Sequence, residues 1–471
     1  MVPARRLGRL SAEERAAHLC DPGTFAREAA ALRSTHADSP PGDGLVCGMG
    51  LIDQRPVAVI ATDGRVLRGS LGTAAVTTAT RLLEGARRAG HPVVLLLDSD
   101  GARQSEGLAA VLANTRFLAT LADLGGHVPR LGAVFGAAGG SAAYALALTD
   151  LAVGIADRSF AFVAGPAVVA QALGEETSLA ELGGTHVHCG NGLLHAALAD
   201  DRAVLAWLRA ALFYLPSSAA GLPLVIDPSE AHEARLPGGF EGLLPNDQKR
   251  AWDLDRALAS LVDSGSWLEL GATWGASIRT GFARLGGRPL MLVASSPGDL
   301  AGAIDAAAAR KLTRFLRFAG AFNLPILTLC DTPGFLPGKQ AEAAAILCHG
   351  AAVIAAYCEA RRAVPRVALI VRRAIGAGSV LAAEADIVLS LPDAIVAQMG
   401  DAALRAAAAV SRIAAPDVAS SGLTTGAEAA GFAHRTIAPE AVRSELIRAF
   451  ARLPSPTPMP FGTRRAPLFP T

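Results

Sequence analysis

The chain has 471 residues, 51% of them hydrophobic and 18% charged, with 43 Lys and Arg set against 42 Asp and Glu. That length suits two or three domains with large buried cores, and the composition excludes a disordered chain. The even charge balance excludes the basic field that nucleic-acid binding requires, and no apolar stretch reaches the ~18 residues of a membrane-spanning helix.

In chain order, the opening MVPARRLGRLSAEERAAHLC carries arginines but no apolar leader core, so no signal peptide is expected. The cysteines at 20, 47, 189, 330, 348 and 358 are scattered and form no CxxC pair. That argues against a zinc ribbon or a disulfide framework and for a cytoplasmic protein. Cys330 and Cys358 fall in apolar runs and read as small hydrophobes. HPVVLLLDSDGARQSEG (91–107) is an apolar run of strand length that ends in Asp and turn residues. LAAVLANTRFLATLADLG follows with a helical pattern. VPRLGAVFGAAGGSAA (128–143) then gives a second strand, a Gly-rich turn and the start of another helix. The same order returns as LPILTLCDTPGFLPG (324–338), AEAAAILCHGAAVIAAYCEA and VPRVALIVRRAIGAGS (364–379). Val128 and Val364 are 236 positions apart, as are Gly140 and Gly376, and Ala142 and Gly378. A constant offset predicts two homologous α/β halves built from βαβ crossovers. The expected domains are 1–220 and 246–452, joined by a Pro- and Gly-rich linker at 221–245. Residues 453–471 are Pro-dense and read as an extended tail.

No GxSxG, Walker A, HExxH or post-strand GxGxxG motif is present. The Gly turns precede helices, where free backbone N–H groups and the helix dipole favour negative charge. Two N–H groups aimed at one oxygen make an oxyanion hole, which can hold an enolate beside a thioester. On turn chemistry alone, Gly140 and Gly376 read more simply as packing glycines where a helix crosses a strand. His186, His188, Cys189 and His195 match no standard zinc spacing, so no metal is expected. Arg103 and the Arg310–Lys311 pair suit either CoA phosphates or plain surface charge. Glu106 and Glu342 occupy matched loop-to-helix positions, where an acid complements the helix dipole.

A longer series of motifs carries a resemblance. LSAEERAAHLCDPGTF, PPGDGLVCGMGLIDQRPVAVIATD, GSLGT (69–73), DSDGARQSEG (98–107), ALTD (147–150) and GPAVV (165–169) stand in the first half. GEETSLAELGGTHVH (174–188), GSWLEL (265–270), GFARLGGRP (281–289), AFNLPILTLCDTPGFLPG and HGAAVIAAYCEA continue it. Together they resemble the carboxyltransferase (beta) subunits of biotin-dependent acyl-CoA carboxylases, of the propionyl-CoA and acetyl-CoA type, over roughly residues 7 to 450. The resemblance implies two crotonase-like (ClpP/crotonase) domains of repeated ββα units. It implies a hexamer of three dimers, with active sites between the N-domain of one subunit and the C-domain of another. The implied activity moves CO2 from carboxybiotin to the alpha carbon of a short acyl-CoA through an enolate. Biotin would arrive on a separate biotin carboxylase and carrier subunit, since no Met flanks a Lys to make a biotinylation site here. By the same resemblance, Gly140, Ser141 and Ala142 form the catalytic turn for the thioester oxygen. Gly101, Ala102, Arg103, Gly139 and Val380 would contact the acyl-CoA. Ala377 and Gly378 form the catalytic turn for the ureido oxygen. Gly376, Gly334, Phe335, Gly338, Glu342 and His349 would contact biotin.

Departures from the family cluster on the biotin side. Asp100 and Ser141 replace glycines at the first turn. Near the second turn Ala344 and Ala345 replace a Gly pair, Cys348 an Arg and Ser379 a Tyr, and the Gly-Ala order becomes Ala377–Gly378. Val380 is aliphatic at the position that helps set acyl chain length in the family, as in its broader-range members. The stretch after AIVAQMGDAA is shorter than the family's helical excursion. Two other readings therefore stand. One is a biotin-independent decarboxylase of malonyl- or methylmalonyl-thioesters that uses only the first turn. The other is a non-catalytic structural paralogue in a carboxylase complex. CoA and carrier-protein thioesters both remain open as substrates.

Overall fold

Continuous apolar runs such as Val93–Ser99 and Arg130–Gly139 become strands buried on both faces, as parallel sheets covered by helices require. The computed structural model describes residues 9–34, 39–227, 240–245, 247, 250–400 and 424–464. Part of the expected linker (228–239), the stretch 401–423 and the end of the expected tail (465–471) lie outside the described residues. The chain forms two compact units, Met1–Leu222 with Pro458–Pro470, and Pro223–Thr457.

In unit 1 the strands are β1 (Ala26–Glu28), β2 (Leu45–Ile52), β3 (Arg55–Thr62), β4 (Val93–Ser99), β5 (Arg130–Gly139), β6 (Leu151–Ile155), β7 (Phe160–Phe162) and β8 (Ala196–Leu198). The sheet order is β1-β2-β3-β4-β5-β6-β8, with β7 pairing the end of β5. β1, β2 and β3 form an antiparallel meander, and every pairing from β3 onward is parallel. The helices are α1 (Ala12–Leu19), α2 (Thr73–Ala89), α3 (Gly107–Asp123), α4 (Ser141–Ala147), α5 (Pro166–Leu173), α6 (Leu179–Gly183), α7 (Thr185–Asn191) and α8 (Asp201–Phe213). α2 shows the sequence logic well. Ala75, Val76, Ala79, Leu82, Leu83 and Ala86 form one buried stripe, and Gly90 ends the helix in a left-handed cap. Residues 458–464 have no regular structure but are not free of the unit. Met459 N–H donates to Ala219 O, and Arg464 donates to the Asp123 and Gly125 carbonyls.

Unit 2 repeats the plan. Its strands are β9 (Leu268–Glu269), β10 (Ile278–Leu285), β11 (Arg288–Ser295), β12 (Ile326–Thr332), β13 (Arg366–Ile375), β14 (Ile387–Ser390), β15 (Ile395–Ala397), β16 (Thr424–Gly426) and β17 (Arg435–Thr436). They run in the order β16-β15-β13-β12-β11-β10-β9, with β14 between β13 and β17. Its helices include α9 (Leu254–Leu261), α10 (Ala306–Ala321), α11 (Lys339–Ala343), α12 (Ile346–Arg361) and α13 (Val380–Ala383). β5 and β13 match residue for residue at the offset of 236 expected from the sequence. The upstream pairs β2/β10, β3/β11 and β4/β12 match at 233, so unit 2 carries three more residues between its central strands. Of the two cysteines in apolar runs, Cys330 is buried and Cys358 is exposed. α12 is apolar on more than its packed side, and Leu347, Ile354 and Cys358 share its outer face.

Candidate active site

At the first turn, β4 ends in Ser99, whose Oγ accepts the Gly101 N–H at 3.1 Å. This folds the 99–103 loop over the end of β5. Gly101 has φ +91°, and a Cβ there would overlap Gly139 O and stand 3.2 Å from Ser141 N. Only glycine permits so close an approach. Leu71 fixes the loop from the other side, donating to Gly101 O (2.7 Å) and accepting from Arg103 N–H (3.1 Å). Gly139 pairs with Phe162 of β7, and the Gly140 N–H donates to Phe162 O at 3.0 Å. Gly140, at φ 49° and ψ −119°, turns the chain into α4. Its own amide is already engaged, so Gly140 shapes the turn, whereas Ser141 and Ala142 sit where a helix leaves its N–H groups without intrahelical partners. The Ser141 hydroxyl is tied off, donating to Asn114 Oδ1 at 2.8 Å. Buried Asn114 donates in turn to Leu71 O and Ala110 O. Sequence reasoning missed Asn114, because a single Asn within a helical pattern carries no signal of its own.

The second turn uses the same construction. Thr332 Oγ1 accepts the Gly334 N–H at 3.0 Å, and Gly334 has φ +109°, with its Cβ direction 3.1 Å from Ile375 O. Ile304 donates to Gly334 O (3.0 Å) and accepts from Leu336 N–H (2.9 Å). Gly376, at φ +58°, opens a 3-10 turn over Gly376–Ser379 that runs into α13. A Cβ on Gly378 would stand 2.7 Å from Gly334 Cα, so loop and turn touch backbone to backbone. Ala377 is exposed and Val380 half-buried. Phe335 packs on Gly350 of α12. Gly338 and Glu342 are exposed at α11, and His349 is half-buried on α12. Ala345, where the family has glycine, is held at φ 57° and ψ 41° at the start of α12.

Several expected contacts are corrected. Arg103 is buried and committed, donating to Asp43 (2.7 Å), Glu106 (3.0 Å), Ser70 Oγ and Ser70 O, so its guanidinium is not available to CoA phosphates. Lys311 is likewise buried, donating to Gly271 O (2.8 Å) and Ile278 O (2.7 Å), and burial pushes its ammonium down to about 7. Arg310 is half-buried over the Trp274 ring. Burial disfavours the Glu106 charge, but the Thr73 N–H at 2.6 Å and Arg103 outweigh it and hold the carboxyl below its usual range. Glu106 therefore serves the start of α2, while Glu342 lies within α11 and is exposed. Asp100 pairs with Arg68. His188 bonds to Ala161 O and Asn191, and His195 Nδ1 accepts the Ala152 N–H at 2.9 Å. Among the described residues no three His, Cys, Asp or Glu gather to hold a metal, and no helix is long and apolar enough to cross a membrane. A cavity of about 640 Å³ between β1 and α2 and one of about 300 Å³ beside Ile387 and His434 are lined by none of the turn residues.

Residues 3–453 match the family model of the carboxyl transferase domain. The propionyl-CoA carboxylase beta chain of Saccharopolyspora erythraea is 35% identical over 411 residues, covering 83% of this chain and 75% of its own. The methylmalonyl-CoA carboxyltransferase 12S subunit of Propionibacterium freudenreichii subsp. shermanii is 33% identical over 405 residues, covering 83% and 76%. A transcarboxylase 12S crystal structure, with methylmalonyl-coenzyme A and methylmalonic acid bound, superimposes with a TM-score of 0.87 at 30% identity. That superposition covers 96% of this chain and 92% of the other.

Proposed function

The chain belongs to the carboxyl transferase domain family, and from that premise we propose that it is the carboxyltransferase subunit of a biotin-dependent acyl-CoA carboxylase. It moves a biotin-borne carboxyl group onto the alpha carbon of a short acyl-CoA, propionyl-CoA or acetyl-CoA. The observation that carries this reading is the matched pair of turns, each covered by a glycine loop that is pinned by a hydroxyl.

In unit 1 the Ser141 and Ala142 N–H groups receive the thioester oxygen and stabilise the charge that grows on it as the enolate forms. A preorganised donor of this kind is worth about 10²–10³ in kcat. The Asn114 bond keeps the Ser141 hydroxyl turned aside. In unit 2 the residues fit a flat ureido ring in one respect: Gly334, Gly376 and Gly378 leave backbone bare beside exposed Ala377. The Ala377 and Gly378 N–H groups would hold the ureido oxygen, with Phe335, Gly338, Glu342 and His349 around it. Biotin, brought by a separate carrier subunit, supplies the carboxyl group and a nitrogen that takes the alpha proton. No side-chain base is then required of this chain, which accounts for the missing nucleophile motifs.

We further propose a hexamer. Leu108, Val111 and Leu112 on α3 and Leu347 and Ile354 on α12 leave apolar faces exposed, up to 75% at Leu347, as an assembly surface requires. The free, buried thiols of Cys20, Cys47 and Cys330 suit a reducing compartment, and we assign the chain to the cytoplasm. The test supplies the full chain with a biotin carboxylase and carrier subunit, ATP, bicarbonate and propionyl-CoA. Methylmalonyl-CoA that forms only with the biotin partner supports the reading. Decarboxylation of malonyl- or methylmalonyl-CoA with no biotin-dependent transfer overturns it.

A further inference from the structure

Both sheets change register just before the loop that covers each turn. β4 and β5 pair Leu97 with Val134 and then Ser99 with Ala138. β12 and β13 pair Cys330 with Ile370 and then Thr332 with Ala374. A single residue, Asp98 or Asp331, therefore faces three on the neighbouring strand. Backbone groups alternate along a strand, so the phase at which pairing resumes decides where Ile375 O and the N–H groups after it point.

The two aspartates share one anchor. Asp98 N–H donates to Thr62 Oγ1 at 2.8 Å and Asp331 N–H to Ser295 Oγ at 3.2 Å. Their carboxylates differ. Asp331 is fully buried and accepts from Arg372 Nε (2.9 Å) and Nη2 (2.7 Å), Arg373 Nε (3.0 Å) and Trp252 Nε1 (2.8 Å). Arg372 and Arg373 are themselves residues of the bulge. They reach further, Arg372 to Arg250 O at 2.7 Å and Arg373 to Ala301 O at 3.2 Å. Asp98 has no such clamp within its bulge. It accepts the Ala137 N–H at 3.3 Å and meets Arg9 at 3.4 Å and Arg15 at 3.9 Å, both from the N-terminal segment.

We infer that Asp331, with Arg372 and Arg373, is the positioning cluster of the second turn. The carboxylate draws both bulge arginines to the end of β12 and fixes the phase at which Thr332 meets Ala374. It thereby aims the Ala377 and Gly378 N–H groups. Asp331 touches no reactant; it acts through the strand. Charge-assisted bonds to one buried carboxylate are strong and geometrically exacting, so the clamp is stiff. The role of those amides in carboxyl transfer rests on the function proposed above; the positioning itself does not.

The test compares full-length wild type with Arg373→Ala, Arg373→Lys and Asp331→Asn. Amide exchange is followed by mass spectrometry at residues 376–380, with residues 140–144 as the internal control. Arg373→Ala is expected to speed exchange at the second turn by about tenfold and leave the first unchanged. Arg373→Lys, which keeps the charge beside Asp331, recovers most of the protection. With the biotin partner present, kcat falls about tenfold in Arg373→Ala while KM for acyl-CoA stays within about twofold. Unchanged exchange at the second turn, or equal acceleration at both turns, overturns the inference. Should Asp331→Asn not fold, the two Arg373 variants decide the question. Should wild type itself transfer nothing from biotin, the proposed function falls, and the exchange comparison still decides this inference.

Discussion

Replacing Gly140 with alanine separates conformation from space. A Cβ at this position would meet nothing nearer than Val163 O at 3.8 Å, so the substitution causes no overlap. The backbone is the obstacle, because φ 49° with ψ −119° favours glycine. Holding an L-residue there costs about 1–3 kcal/mol. If the turn keeps its shape, unit 1 loses that much stability, which at about 2–4 °C per kcal/mol is a drop of about 2–12 °C in its unfolding midpoint. If the turn relaxes, the Gly140 N–H leaves Phe162 O and the Ser141 and Ala142 amides swing away from the position proposed above for the thioester oxygen. Misaiming one such donor lowers kcat by about 10²–10³. Thermal unfolding and carboxyl transfer, measured on the same preparation, distinguish the two responses. An unaltered midpoint together with an unaltered kcat would refute the reasoning, since the turn would then hold an L-residue without strain.

Three further outcomes are expected. Ala345→Gly relieves the left-handed backbone at the start of α12 and stabilises unit 2 by about 1 kcal/mol, read as a higher urea midpoint at an unchanged slope. Burial holds the Lys311 ammonium down at about 7, whereas in the unfolded chain it titrates near about 10.4. The unfolded chain then binds more protons between those values, so unit 2 gains stability as pH rises across roughly 7 to 10 and this group adds no slope below that window. Lys311→Met should abolish that rise in denaturation curves. Arg103→Ala takes the cation from buried Asp43 and one partner from half-buried Glu106, and lowers stability by about 3–5 kcal/mol. Weaker acyl-CoA binding with stability intact would instead return Arg103 to the phosphates.

The repeat around the two turns was legible because Val128–Gly140 and Val364–Gly376 keep one offset through β5 and β13. Further upstream, β4 and β12 were legible as apolar runs that end in Asp and turn residues, but β2/β10 and β3/β11 were not, because they share length and apolar character but few identities, at a different offset. Arg103 was misread for a related reason. An arginine in a glycine loop looks available until folding brings Asp43 beside it from sixty positions away. The exposure of Cys358 was not legible, because an apolar run does not say which of its sides the fold covers, and α12 leaves one apolar side bare. The Asp331 clamp was invisible because one strand residue facing three is a property of pairing, and pairing is not written in either strand alone.

The grip of Gly101 on Gly139 and of Gly334 on Ile375 is made by backbone atoms. No truncation of a side chain can delete a group that every residue except proline carries. If the proposed function holds, systematic alanine scanning would thus pass over the charge-stabilising amides in silence and light up only their scaffolding, Asn114 and Asp331 among it. Such a site can drift at Ser141 or Ala377–Gly378 without losing a donor, which lets related chains diverge in sequence at their chemical centre. Mapping it calls for edits to the main chain itself, such as proline at 141 or 377 or an ester in place of one amide.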